Sequence, residues 1–446
     1  MKQQIQAGFG RVDITPQKYG PLGGYGNDHE RFCNTIIDRP LGTCIAISDE
    51  GGKTILLITT DCLHTNKAQV AIIREAITAA TGIPGDHIMI AASHTHSGPS
   101  INGVGLDATQ EYFKHQAKQL AIAAKLALED RKPAQIRIGQ DILTNMTFDR
   151  HYRMNDGTAK GTGFGSLESG YKDHLDKADE QMQVMRFVRE DAQDIVLINW
   201  QAHVTFVGKS SEGILSADYV GSLRNHLEGL TGCQMAFFQG ACGNLVPRSR
   251  IPEKNVVEDN YIAYGRKLAE YAAQIMENAQ PVDGGSIRTK QMQYKAVVNH
   301  TEDDKVPAAE EAMAIYRANP QLPHKERRQL MRDRGFDSYL HAGSIVNRGK
   351  AGPYVEVELD ALSVGDISFV TAPFEMFCSI PVYIKENTPF DMTFFMGYCN
   401  GSYSYLPDNF GFEFPSYEVR SCRFLKGTAE DIGQTHVEML KELKNN

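Results

Sequence analysis

No apolar run in this chain approaches the length needed to cross a membrane, and Met1-Lys2-Gln3-Gln4-Ile5 opens without the apolar segment of a signal peptide. The expectation is a cytoplasmic protein with no stable membrane association. None of the eight cysteines belongs to a Cys-x-x-Cys pair, and several sit in apolar runs such as Gly42-Thr43-Cys44-Ile45-Ala46-Ile47. That usage suits free, buried thiols in a reducing compartment and argues against a disulfide framework. A basic excess is also absent. The formal charge of -9 argues against nucleic acid and against anionic membrane surfaces. Single histidines and arginines can still meet a small anionic substrate. There is no internal repeat and no low-complexity linker. With 446 residues, 41% of them hydrophobic, the chain is expected to form one domain over 1–446.

What is present is a mixture of strand and helix patterns. Apolar runs at 43–47 and 54–60 flank the turn Ser48-Asp49-Glu50-Gly51-Gly52-Lys53, which predicts a hairpin. Val70, Ile73 and Ile77 have helical spacing, and Gly82 and Pro84 stop that helix. Further strands are expected near 87–93, 135–142, 182–189, 194–201, 234–239, 354–360, 365–371 and 392–398. Helices are expected near 107–130, 217–229, 258–277, 374–384 and 428–443. Crossovers mixed with hairpins predict an α/β fold with a mixed, twisted sheet flanked by helices. The Gly-rich stretch 143–178 reads as a long loop or lid. The highly charged stretch 302–335 reads as a helical excursion from the core.

Three segments carry residues suited to chemistry. Ser93-His94-Thr95-His96-Ser97-Gly98-Pro99 follows the apolar run 87–92, so two histidines spaced i, i+2 stand at a strand end. In extended chain they point the same way, and imidazole is the commonest protein ligand for metals. Asn199-Trp200-Gln201-Ala202-His203 places a third histidine at another strand end. Taken alone, each histidine also reads as a hydrogen-bonding loop residue. Glu375, in Thr371-Ala372-Pro373-Phe374-Glu375, is expected in the first turn of a helix, where a carboxylate also serves as a partner of the helix dipole. Tyr403, Tyr405 and Tyr417 follow, and tyrosines are usually packing residues. Two Gly-rich segments read less sharply. Gly8-Phe9-Gly10 precedes its strand, whereas a dinucleotide-binding fingerprint follows one. Gln239-Gly240-Ala241-Cys242-Gly243-Asn244 can edge a site, but Cys242 has no base motif nearby.

In their order along the chain these segments resemble the neutral/alkaline ceramidase family over its catalytic domain. Ala7-Gly8-Phe9-Gly10-Arg11-Val12-Asp13-Ile14-Thr15-Pro16 is similar to the family's opening segment, Ser93 to Pro99 to its T-H-T-H-S-G-P, and Asn199 to His203 to its N-W-F-A-x-H. Thr371 to Glu375 is similar to P-G-E, and Asn400 to Tyr417 to the run from N-x-Y-x-x-Y to Y-E-G. The resemblance implies a Zn2+ site built from His94, His203, Glu375 and Tyr405. It implies that His96 and Tyr417 are catalytic and not ligands. Tyr405 and Tyr417 lie twelve residues apart, as in the family. Arg150, in Phe148-Asp149-Arg150-His151-Tyr152, is the candidate for the family's arginine, although the surrounding N-R-S-x-x-A-Y context is lost.

The implied chemistry is coherent. Two neutral imidazoles and a carboxylate leave zinc with residual charge that brings the pKa of water to roughly 7. A nearby histidine can move a proton, and a tyrosine or arginine can stabilise an oxyanion. The family's immunoglobulin-like C-terminal domain is not expected in this chain. Pro99-Ser100-Ile101 also replaces P-G-G. The first expectation is therefore a zinc hydrolase acting on the amide of a small soluble acyl substrate. An esterase or lactonase, a true ceramidase and a non-catalytic metal-binding scaffold are the alternatives. Retention of His96 and Tyr417, which zinc does not need, counts against the scaffold.

Overall fold

Alternation along the strands dictates the layering of this molecule. The computed structural model describes residues 5–18, 20–25, 31–100, 106–161, 169–208 and 212–445. On strand Leu41–Ser48, Ile45 and Ile47 enter one core while Cys44 and Ala46 enter another, and all four are fully buried. A strand apolar on both faces needs a layer on each side.

The larger sheet runs Gln234–Gln239, Ile195–Trp200, Gln181–Arg189, Lys132–Ile142, Ile5–Asp13, Leu41–Ser48, Thr54–Thr60, Ile88–Ala92, with Gln280–Val282 also paired to Lys132–Ile142. Its two ends are parallel pairs and its middle is antiparallel, so the expected mixed sheet is present. A second sheet of Ile287–Val297, Tyr354–Val364, Ile367–Ala372 and Met392–Gly397 packs on it. Phe9, Phe187 and Phe238 from the larger sheet meet Phe369 and Phe394 from the smaller in the shared core. Asn199 ties the sheets together by donating to the carbonyls of Phe238 and Phe395.

Helices cover the outer faces. Lys67–Thr81 and Leu106–Glu129 cover one half of the larger sheet, and Tyr219–Thr231 and Tyr261–Asn278 the other. Ser379–Asn387 and Thr428–Asn445 cover the smaller sheet. The helix after Asn66 is capped by that side chain, which accepts from Gln69 N, and ends at left-handed Gly82. The result is a four-layer α/β/β/α sandwich.

Gly8-Phe9-Gly10 has a packing role. A Cβ at either glycine would lie 2.0 Å from a carbonyl oxygen of helix Leu106–Glu129. Glycine there lets the helix lie directly on the strand.

Several expectations need revision. The stretch 143–178 contains the short strands His151–Met154, Ala159–Gly161 and Tyr171–His174, which form a small sheet. Their brevity and the intervening glycines hide the alternation. Gly163 and Gly165 lie outside the described residues, as do Met1 to Gln4 and Ile101. Strand Ile287–Val297 was not expected, because Arg288, Lys290, Gln291 and Lys295 break its apolar pattern where one face meets solvent. The helix expected near 374–384 begins only at Ser379. The charged excursion is helical, as expected, but continues to Gly349 through Val306–Ala318, His324–Arg332 and Tyr339–Gly349, around its own core of Ala309, Ala312, Tyr316, Met331 and Ile345.

Candidate active site

Three histidines meet at the end of the sandwich. The rings of His94, His96 and His203 present nitrogens that all lie within 4.8 Å of one another, and all three residues are buried. His94 and His96 come together differently from the expectation. The strand ends at Ala92, and His94 has φ 66°. The rings therefore converge through a left-handed turn and not through strand pleat. The turn is fixed on both sides: His94 N donates to Cys62 O, His96 N donates to Val204 O, and Thr95 bridges to Val204.

Two of the three rings are oriented by the backbone. His94 Nδ1 lies 2.9 Å from Leu63 O, and His203 Nδ1 lies 2.9 Å from Leu245 O. A carbonyl can only accept, so each Nδ1 carries the proton and each Nε2 presents a lone pair to the site. His96 differs, since its Nδ1 is buried with no hydrogen-bond partner. Burial, then the neighbouring His94 and His203, hold its pKa well below the usual histidine value, so the ring is neutral.

Glu375 completes the cluster. It lies on a two-residue strand, Glu375–Met376, and not in a helix turn as expected. That strand pairs in parallel with Tyr405–Leu406, in a register that sets Glu375 against Tyr405. Glu375 Oε2 is 3.3 Å from His94 Nε2 and 3.5 Å from His203 Nε2. Tyr405 Oη is 3.4 Å from His203 Nε2. Four ligands at bonds of about 2.0–2.1 Å around a tetrahedral zinc are separated by about 3.3–3.4 Å. The three observed spacings are close to that edge. Glu375 Oε2 is also buried without a hydrogen-bond partner, an orphaned acceptor of the kind a cation satisfies. The donor set thus fits a divalent metal. His96 Nε2 is 3.3 Å from His94 Nε2.

The Gly-rich loop after Gln239 holds the site together. His203 N and Arg150 N donate to Leu245 O and Asn244 O, and Gly243 N donates to Met376 O. A Cβ at Gly243 would lie 2.4 Å from Glu375 O, so this approach needs glycine. Cys242 is buried, bonds Tyr398 Oη at 3.0 Å and has its thiol pushed up to about 12 by burial. It is no nucleophile.

Arg150 and Tyr417 join the same cluster. Arg150 Nη1 lies 3.4 Å from Tyr405 Oη, and the rings of Tyr405 and Tyr417 are 5.4 Å apart. The sequence had not marked the support behind them. Glu418 pairs with Arg150 Nε at 3.1 Å and with His151 Nε2 at 2.9 Å, while His151 Nδ1 is 3.0 Å from Asp149. Burial opposes each of these charges, yet the pairing prevails. Glu418 falls to about 2, and His151 rises to about 9. The adjacency of Glu418 to Tyr417 and of His151 to Arg150 was the available signal. Tyr398, stacked on His94 at 4.0 Å, and His64 at the site wall carried none.

A cavity of about 540 Å³ opens onto these groups. His94, His96, Glu375, Tyr405 and Tyr417 form its floor, and Tyr339, Leu340, Ser344 and Asn347 of the helical excursion form a wall. No helix is long and apolar enough to cross a membrane among the described residues.

No family model matches the chain, and no curated protein matches it. Solved structures do match. A ceramidase complexed with C2 superposes with a TM-score of 0.74 at 18% identity, over 99% of this chain and 76% of that one. A neutral ceramidase from Pseudomonas aeruginosa gives a TM-score of 0.73 at 19% identity, over 100% of this chain and 75% of that one. At such identity the shared property is the architecture, and the α/β/β/α sandwich that carries this histidine cluster is the neutral ceramidase fold.

Proposed function

We propose that this chain is a zinc-dependent amidohydrolase that cleaves the N-acyl bond of a small soluble substrate, within a single domain. The reading rests on one observation: His94 Nε2 to Glu375 Oε2, Glu375 Oε2 to His203 Nε2 and His203 Nε2 to Tyr405 Oη are 3.3, 3.5 and 3.4 Å apart, close to the edge length of a tetrahedral metal site. These four residues would hold the ion. Zinc at such a site supplies a Lewis acid and acidifies water.

The remaining roles fall to the neighbouring side chains. Neutral His96 takes a proton at Nε2 and returns it to the leaving amine. Arg150 and Tyr417 donate hydrogen bonds to the oxygen that gains charge as the acyl carbon is attacked. The Asp149–His151–Glu418 chain keeps Arg150 in place. The cavity of about 540 Å³ falls within the roughly 300–1,000 Å³ of small-molecule sites. Its wall mixes Ser344, Asn347 and Ser402 with Met313 and Leu340, which favours a compact polar amide over a long lipid. The eight cysteines, all free and buried, are in keeping with a reducing cytoplasm.

The test is a side-by-side assay of the zinc-loaded chain on short acyl amides, acyl esters, lactones and detergent-dispersed long-chain ceramide. Soluble amides are expected to give the highest kcat/KM. A higher value for ceramide overturns the substrate class, and a higher value for esters or lactones overturns the amide.

A further inference from the structure

Arg423 lines the same cavity as His94, His96, Glu375 and Tyr417. It is half-buried, and among the described residues its guanidinium has no hydrogen-bond or ion-pair partner. Other arginines around the cleft are paired: Arg150 with Glu418 at 3.1 Å, Arg348 with Glu302 at 2.5 Å and Arg420 with Asp337 at 2.6 Å. Among the described residues, Glu375 is the one carboxylate lining the cavity, and it is turned into the histidine cluster. Among the described residues, Arg423 is the one full cation lining it.

Its backbone is fixed. Arg423 O accepts from Asn299 N at 2.9 Å, and Phe424 bridges to Val298. Ser421 O, two residues before, accepts from both Ser344 and Ser404. The guanidinium is therefore presented from an anchored segment. An arginine without a counter-charge in a partly desolvated cavity forgoes the charge-assisted bonds that its planar fork is shaped to make. The chain as a whole is acidic, at -9, so a cationic cavity wall stands against its background.

We infer that the substrate carries a carboxylate that pairs with Arg423 while the scissile amide lies against the histidine cluster. This rests on the amidohydrolase reading above. One guanidinium matches one carboxylate in bidentate geometry. The carboxylate can sit on the amine side, as in an N-acyl amino acid, or on the acyl side, as in a dicarboxylic monoamide. Hydrolysis adds water across the C–N bond in either case, giving a carboxylate and an amine with no further reactant.

The test compares the zinc-loaded full chain on N-octanoylglycine, on its primary carboxamide and on N-succinyl-octylamine. A charged substrate is expected to exceed the neutral one in kcat/KM by about tenfold or more, the scale of a hydrogen-bonded ion pair. Which charged substrate wins assigns the carboxylate to the amine or the acyl side. Arg423→Gln should bring the charged-to-neutral ratio close to one, mainly through KM, and Arg423→Lys should restore part of it. Equal kcat/KM for charged and neutral substrates in the wild type overturns the inference, as does an unchanged ratio in Arg423→Gln. Calorimetry separates this outcome from failure of the amidase reading. It uses the uncleavable ketomethylene isostere of N-octanoylglycine and the carboxamide of that isostere. A preference for the acid that Arg423→Gln abolishes supports the carboxylate site even if no amide is turned over, and the absence of a preference overturns it.

Discussion

Replacing Glu418 by glutamine removes the one anion shared by Arg150 and His151. The side chains of Arg150, Glu418 and His151 are only 9%, 2% and 2% exposed, so water cannot stand in for the lost charge. His151 can respond by shedding its proton while keeping its 3.0 Å contact to Asp149. Arg150 cannot, because a guanidinium stays charged at any usable pH. The buried Arg150 cation then lacks the Glu418 carboxylate beside it. Breaking a buried pair in this way costs about 3–5 kcal/mol, and release of the His151 proton favours the lower end, about 3 kcal/mol.

The loss should depend on pH. His151 has its pKa raised from 6.5 to about 9 by Glu418 and Asp149 against burial. A raised pKa adds stability that is complete below 6.5 and disappears as pH rises through about 9. Glu418→Gln should therefore lose more at pH 6 than at pH 9.5 in urea melts. A freed Arg150 should also lower kcat by about a hundredfold, the scale for one misplaced oxyanion donor, with metal content unchanged. A stability loss below about 1 kcal/mol at pH 6, against the 3 kcal/mol expected from breaking a buried pair, would refute the reasoning. Loss of metal together with activity would refute the assigned role.

Metal analysis of the wild type purified with zinc present should give near-stoichiometric zinc, and His203→Ala should lose most of it; a zinc-free wild type refutes the site. His96→Ala and Tyr417→Phe should keep the metal and lose about a hundredfold in kcat. Release of zinc from folded His96→Ala would make His96 a ligand. His151→Gln should lower the melting temperature at pH 6 and have progressively less effect as pH passes about 9, the folded-state value; a constant deficit across that range contradicts the charged imidazole. Gly8→Val should destabilise the fold by about 3 kcal/mol or more in urea melts, since its Cβ meets Ala127 O at 2.0 Å, and a near-neutral effect rules out the close helix–strand contact.

The histidines were legible because metal-binding residue types stood at the ends of apolar runs. The stated geometric reason was nevertheless incomplete: φ 66° at His94 brings the two rings together through a turn that no periodicity reveals. Glu375 and Tyr405 were legible only through family resemblance, because a pair of two-residue strands leaves no pattern in a sequence. The second sheet was half legible. Its strand Ile367–Ala372 is fully buried and mostly apolar, whereas Ile287–Val297 mixes arginine, lysine and glutamine into its run and exposes Gln291, Gln293 and Lys295. The Glu418–His151 pair joins residues 267 positions apart. Long-range charge pairing of that kind has no local signature. Arg423 escaped for the opposite reason, since what marks it is the lack of a charge partner among the described residues, which no local sequence pattern reveals.

The ladder between Glu375 and Tyr405 has a kinetic consequence. Strand Ile88–Ala92 leads directly into His94, and Ile90 exchanges backbone and side-chain hydrogen bonds with Asn400, 310 residues away. Closing such loops is entropically slow, so contacts of this separation form late in folding. A chain emerging from the ribosome has His94 and His203 long before the segment bearing Glu375 and Tyr405. At the proposed metal site, capture at full affinity would wait until both sheets have docked, and an ion added during refolding should accelerate only the last phase. An ion held there would stabilise both sheets by mass action, so chelation would then lower one cooperative transition and not melt a single lobe.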